Sequence, residues 1–189
     1  MNIPYTVERR PDTGVSNVMM GVWLFLASEV MLFGALFSAY ALLRVAAPAW
    51  PSGRQLLSVS SGSVNTLLLI VMTGLVWKAR SAATDRARVL MLFSTLVAGA
   101  FLGVKFIEYR GEIALGLVPA LNTFLATYYT LTGLHAVHVV GGMIVNLWIV
   151  AGIRRAGTAV SAQRIHAMAL YWAFVDAIWL LIFVLMYLT

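Results

Sequence analysis

Five runs of predominantly apolar residues, at about 19–43, 60–77, 88–109, 120–153 and 165–188, dominate this chain of 189 residues. A bilayer hydrocarbon core is crossed by roughly 20 such residues in a helix. Each run is therefore read as a membrane span, and the fold class as an all-α integral membrane protein with five transmembrane helices. The fourth run exceeds the minimum length and is expected to tilt or to project past the headgroups. Pro48 and Pro51 mark the first loop; Gly111, Gly116 and Pro119 mark the third. Charged residues make up 11% of the chain, against about a quarter in soluble domains, and the mean hydropathy is +0.90. Residues 1–18 read as a polar N-terminal tail without the apolar centre of a signal peptide, and 19–189 as one transmembrane domain. There is no internal repeat. The absence of cysteine excludes disulfides, thiolate metal sites and cysteine nucleophiles.

The net charge is +6. In a soluble chain this would suggest nucleic acid, but here the basic residues lie in short loops between spans, so no nucleic-acid partner is expected. Five spans place the termini on opposite sides of the membrane. Arg9, Arg10, Lys78, Arg80, Arg86, Arg88, Arg154, Arg155 and Arg164 fall on the N-terminal side. Arg44, Arg54 and Arg110 fall on the other, and Lys105 lies inside the third span. The positive-inside rule then predicts a cytoplasmic N-terminus and an external C-terminus.

Charged side chains at the bilayer centre cost about 2.5–3.5 kcal/mol on insertion scales, so each needs a reason. Glu29 lies ten residues into the first run, roughly 15 Å deep at 1.5 Å per residue. Asp176 lies twelve residues past Arg164, roughly 18 Å deep by the same rise. The two carboxylates thus enter from one side to matching depths. One reading is a proton or polar-lipid site. The other is a carboxyl group hydrogen-bonded between helices to fix packing.

His135 and His138, spaced i, i+3, are expected to share a helix face. A metal there would need carboxylates from other helices, of which Glu29 is one candidate, but no paired Glu-x-x-His motif occurs. The plainer reading is two interhelical hydrogen-bond donors. Histidines one turn apart cannot bind opposite faces of a haem iron. His166 is too close to the cytoplasmic end to pair with His138 across one.

Lys105 and Glu108 are read as an ion pair or a snorkelling lysine near the outer end of the third span. Asn65, Thr66, Asn122 and Asn146 are expected to bond across helices. Trp50, Trp77, Tyr109 and Tyr187 lie near span ends, as interfacial belts require. Trp23, Trp172 and Trp179 lie deeper and read as packing or lipid-contact residues. Gly141-Gly142 would permit a close helix approach. Nucleotide loops, hydrolase triads and zinc motifs are lacking.

Several of these segments form a recognisable set: GVWLFLASEVMLFGALFSAY (21–40), GSVNTLLL (62–69), FLGVKFIEY (101–109), TGLHAVHVVGG (132–142) and YWAFVDAIWLLIFVLMYL (171–188). In order and across nearly the whole chain, the sequence resembles subunit III of the haem-copper terminal oxidases, the cytochrome c oxidase group, in its short five-helix bacterial form. It departs from that family at three positions. Lys105 stands where Gln is usual, Ala173 where the last motif usually has His, and His166 where a Glu is common.

The resemblance implies a non-catalytic chain in a complex that reduces oxygen, itself without a redox centre. Haem and copper are expected in the partner subunits I and II. A V-shaped, two-bundle arrangement is implied, with a lipid cleft holding phospholipid and with support for proton uptake by subunit I. A small subunit IV, or a cytochrome complex in a supercomplex, is a further implied partner, and the location is the bacterial inner (plasma) membrane. By matching positions, Glu29, His135, His138 and Asp176 form the buried polar set, with Trp23, Trp172 and Trp179 as lipid-cleft aromatics. Two rivals remain: a partner of a quinol oxidase or nitric oxide reductase, and a small proton-coupled transporter using Glu29 and Asp176. Against the transporter stands the lack of inverted repeats and paired broken helices.

Overall fold

The computed structural model describes residues 7–189; residues 1–6 of the expected tail lie outside them. The element order is α1 (Asn17–Ala46), a short α2 (Gly53–Leu56), α3 (Val59–Ala79), α4 (Thr84–Ala114), α5 (Thr123–Gly152) and α6 (Thr158–Ile182). A π-helical turn, Phe183–Tyr187, continues α6. Helices are the expected outcome because hydrocarbon offers backbone N–H and C=O groups no partner, and an α-helix satisfies them internally. Among the described residues, five helices are long and apolar enough to cross a membrane: α1, α3, α4, α5 and α6 with its π-helical turn.

The starts of α1, α3 and α5 are set by polar caps rather than by the limits of apolarity. Ser16 caps α1 by accepting from Met19 N–H, and Ser58 caps α3 by accepting from Ser61 N–H. Asn122 accepts from Leu125 N–H at 2.8 Å, so α5 begins at Thr123 rather than at position 120. The fifth span starts earlier than its apolar run, at Thr158 instead of position 165. Its polar first turns include Ser161, whose hydroxyl donates to Ile153 C=O at 3.0 Å. α4 likewise extends beyond the 88–109 run at both ends.

α3, α4, α5 and α6 close into a four-helix ring, each packing against two neighbours. α1 lies outside this ring, against α6 and α5. Its most apolar stretch is only 11% buried, against 28–44% for the other spans. The ring core holds the wholly buried Trp172, Trp179, Phe101, Tyr128, Met72 and Met91. Polar ties hold α1 along its length, among them Gln163 Nε2 to Ser16 Oγ at one end, Glu29 to His138 in the middle, and Tyr40 OH to Leu185 C=O at the other.

Three glycines, Gly53, Gly62 and Gly142, mark close approaches. A Cβ at Gly53 would lie 1.7 Å from Met186 O, where α2 abuts the π-helical turn. A Cβ at Gly142 would lie 2.6 Å from the Trp172 ring, whereas one at Gly141 would meet nothing within 4 Å. Of the pair noted in the sequence, only Gly142 is therefore required by the α5–α6 contact. Gly142→Ala is expected to destabilise the protein by about 1–3 kcal/mol, the usual cost of overpacking, with Gly141→Ala near neutral. Thermal unfolding of both variants in one detergent checks this.

Candidate functional site

The centre of α1 faces α5 through a polar contact. Glu29 Oε2 lies 2.7 Å from His138 Nε2. Both side chains are 12% exposed. On the far edge of the ring, His138 Nδ1 lies 2.8 Å from Leu134 C=O. A carbonyl only accepts, so Nδ1 must carry a proton. The Glu29–His138 contact then holds one further proton, on the carboxyl oxygen or on Nε2. Either arrangement is neutral overall, a neutral acid beside a neutral imidazole or a carboxylate beside an imidazolium. The contact is thus a one-proton pair at membrane depth. It is packed by Phe33, whose ring centroid is 5.1 Å from that of His138. Tyr171 OH donates to His138 C=O at 2.7 Å, so α6 braces the same turn of α5.

The remaining members of the sequence-derived set lie elsewhere. His135 does not share the face of His138. It points into the ring, with centroids 5.6 Å from Phe101 and 5.2 Å from Trp179, and neither of its nitrogens is hydrogen-bonded. The i, i+3 separation is close to 300° around the helix at 3.6 residues per turn, and here that offset is enough to put the two rings on different neighbours. Asp176 matches Glu29 in depth but faces α3, toward the Thr73 hydroxyl. Neither that hydroxyl nor Asp176 Oδ1 makes a hydrogen bond of good geometry. Among the described residues, no three His, Asp or Glu side chains come together as metal ligands.

The aromatic candidates divide in the same way. Trp23 is 56% exposed on α1. Trp172 and Trp179 are wholly buried in the ring and donate to Asn146 Oδ1 and Thr66 Oγ1. Of the three, only Trp23 presents its indole outward. Asn146 and Thr66 thus bond across helices as expected. Asn122 caps its own helix, and the Asn65 amide, fully buried, has no partner.

A second buried cluster was only partly visible in the sequence. Lys105 does not snorkel; it is 3% exposed. Its ammonium donates to Glu108 Oε2 at 3.1 Å, Tyr128 OH at 2.6 Å and Tyr187 OH at 2.5 Å. Tyr187 OH donates to Glu108 Oε1, and Tyr128 OH to Glu112 Oε1, each at 2.9 Å. Tyr187, read as interfacial, is therefore a core residue, and the cluster links α4, α5 and the π-helical turn. The missed signal was the spacing of Lys105, Glu108 and Glu112 at i, i+3 and i+7, one face of a helix.

Fold and polar arrangement define a multi-pass helical membrane protein with two ionisable pairs inside the bundle, Glu29 with His138 and Lys105 with Glu108. Residues 11–189 match the cytochrome c oxidase subunit III family. The chain is 32% identical over 182 residues to the cytochrome bo(3) ubiquinol oxidase subunit 3 of Pseudomonas aeruginosa, covering 94% of this chain and 87% of that one. It is 34% identical over 177 residues to the cytochrome c oxidase subunit 3 of a Synechocystis species, covering 90% and 75%. A heme-copper oxidase subunit I+III of Aeropyrum pernix is 31% identical over 201 aligned positions, covering 98% of this chain and 24% of that longer one. The chain belongs to the haem-copper oxidase subunit III family.

Removing one partner from a buried ion pair costs about 3–5 kcal/mol, while replacing both is far milder. Lys105→Met is accordingly expected to destabilise the protein by about that amount. Glu108→Gln in the same background should recover part of the loss. A double-mutant cycle on thermal unfolding checks this; additive losses would show that the two side chains do not interact.

Proposed function

We propose that this chain is the non-catalytic subunit III of a bacterial haem-copper respiratory oxidase, seated in the plasma membrane with its N-terminus cytoplasmic. It packs on subunit I of a complex that includes subunit II, holds phospholipid and supports proton uptake during oxygen reduction. Haem and copper belong to the partner subunits. The partnership is supported by the Aeropyrum relative, whose name joins subunits I and III in one chain. Orientation rests on the nine basic residues on the N-terminal side.

The observation that carries the reading is the Glu29–His138 pair, set between α1 and the ring with apolar grooves beside it. One groove, about 380 Å³, lies among α1, α5 and α6 and is lined by Val22, Phe25, Val145, Trp148 and Met168. Arg164 stands at its edge, stacked 4.5 Å from the Trp148 centroid. A second, about 430 Å³, runs past Trp23, Leu26, Ala173 and Phe174. These are the candidate lipid clefts, with α1 as one arm of the V and the four-helix ring as the other. Ala173, where the family more often has His, leaves the second groove apolar. The pair can retain or pass one proton at the depth where the grooves meet the bundle.

A quinol-fed complex is the second reading, favoured by the ubiquinol oxidase relative. Family membership favours either oxidase over a free-standing transporter. Purification through a tag on this chain should recover a haem-bearing partner, seen in the absorbance spectrum and the subunit masses. Recovery of the chain alone would overturn the proposal. Within that complex, Glu29→Ala should leave the haem spectrum unchanged and shorten the lifetime under turnover several-fold. Glu29→Gln retains a donor for His138 without a transferable proton, so it separates the two roles. Impairment equal to that of Glu29→Ala assigns the effect to the proton, and wild-type behaviour assigns it to docking.

A further inference from the structure

At the opposite edge of the molecule from the Lys105 cluster, the end of α3 and the first turns of α6 line an open polar pocket. It has a volume of about 410 Å³ and is lined by Trp77, Arg80, Ser81, Ala162 and His166. The Arg80 guanidinium stacks on the Trp77 indole, 4.3 Å from the ring centroid. That contact occupies the face of the guanidinium and leaves its N–H edge available. Arg80 makes no ion pair among the described residues. His166 lines the same pocket as Arg80, and its Nδ1 is buried without a hydrogen bond among the described residues. The Ser81 hydroxyl adds a third donor. None of the five lining residues is acidic. The nearby carboxylate of Asp85 is engaged by Arg154 at 2.8 Å.

Two nitrogen bases without an acidic partner, beside an unused hydroxyl, make a poor packing contact and a good anion receptor. A guanidinium presents parallel N–H donors to tetrahedral oxyanions. Trp77 is 47% exposed and stands near the end of a span, the level at which indoles meet headgroups. We infer that Arg80, Ser81 and His166 form a binding site for a phosphate group, on the same side of the bundle as the basic loops. The chemistry is shared by an anionic phospholipid headgroup and by free phosphate. The site is separate from the apolar grooves beside α1 and does not depend on the reading given to them.

The full chain has three histidines, so its imidazole nitrogens can be followed by NMR after 15N-histidine labelling. In phosphatidylcholine nanodiscs, adding phosphatidylglycerol should move the His166 signals in a saturable way and leave His138 in place. Inorganic phosphate added to phosphatidylcholine nanodiscs is the second arm. A shift there assigns the phosphate to the aqueous phase, and a shift with phosphatidylglycerol alone assigns it to lipid. Arg80→Gln should weaken the effect about fivefold, the weight of one basic residue at an anionic surface, and Arg155→Gln should leave it unchanged. If Arg80→Gln disturbs the His138 signal, and hence the fold, Ser81→Ala takes its place with a smaller expected loss. No shift in either arm, or an equal shift after Arg80→Gln, overturns the inference. So does a shift that requires added partner subunits, which would assign the site to a protein carboxylate.

Discussion

Inside a bilayer, apolar packing gains little, because lipid tails are as apolar as the side chains that would replace them. Helix positions must then be fixed by polar contacts and by steric fit. In this protein α1 shows the consequence most plainly. It is long and largely exposed, and it lies outside the four-helix ring. Its ties are at Ser16, Glu29 and Tyr40, one near each end and one in the middle. The middle tie is the one at membrane depth, where an alternative partner in lipid is lacking. Everything proposed for the grooves beside α1 depends on where this contact holds the helix.

The ring follows the same rule by different means. Lys105, Glu108 and Glu112 would each be costly alone, and together they are offset by the Tyr128 and Tyr187 hydroxyls, which bond to all three and leave Glu112 Oε2 without a hydrogen bond among the described residues. The cluster ties α4 to α5 and to the turn that ends α6. Asn146 performs a similar task among Ser94, Thr95 and Trp172. The two carboxylates that looked equivalent by depth, Glu29 and Asp176, thus have different standing. Glu29 has a hydrogen-bonding partner in His138, and Asp176 faces a threonine without a good bond.

Span number and approximate placement were legible in the sequence because apolar length is a direct physical requirement of the membrane. The ends were less so: Asn122 sets the start of α5 through a single hydrogen bond that hydropathy does not register, and α6 begins in polar turns before its apolar run. Within the site, Glu29 was singled out for its depth, and its hydrogen-bonding partner His138 was named without being assigned to it. Depth is a coordinate along the helix; partnership also needs the rotation of each helix, which one sequence leaves open. The same limit explains why His135 was grouped with His138, and why Tyr187 was placed at the interface instead of beside Lys105. Trp172 and Trp179 were selected for proximity to polar positions, and their hydrogen bonds to Asn146 and Thr66 explain that proximity from within the ring.

The Glu29–His138 contact holds the middle of α1 against the bundle. The chain has no cysteine, so Ser38→Cys and Thr130→Cys can carry a unique pair of spin labels on α1 and α5. With Glu29 and His138 intact, double electron–electron resonance should give one narrow distance distribution. With His138→Ala in the same labelled chain, the distribution should broaden and shift to longer distances as α1 separates from α5. An unchanged distribution after that substitution would contradict the claim.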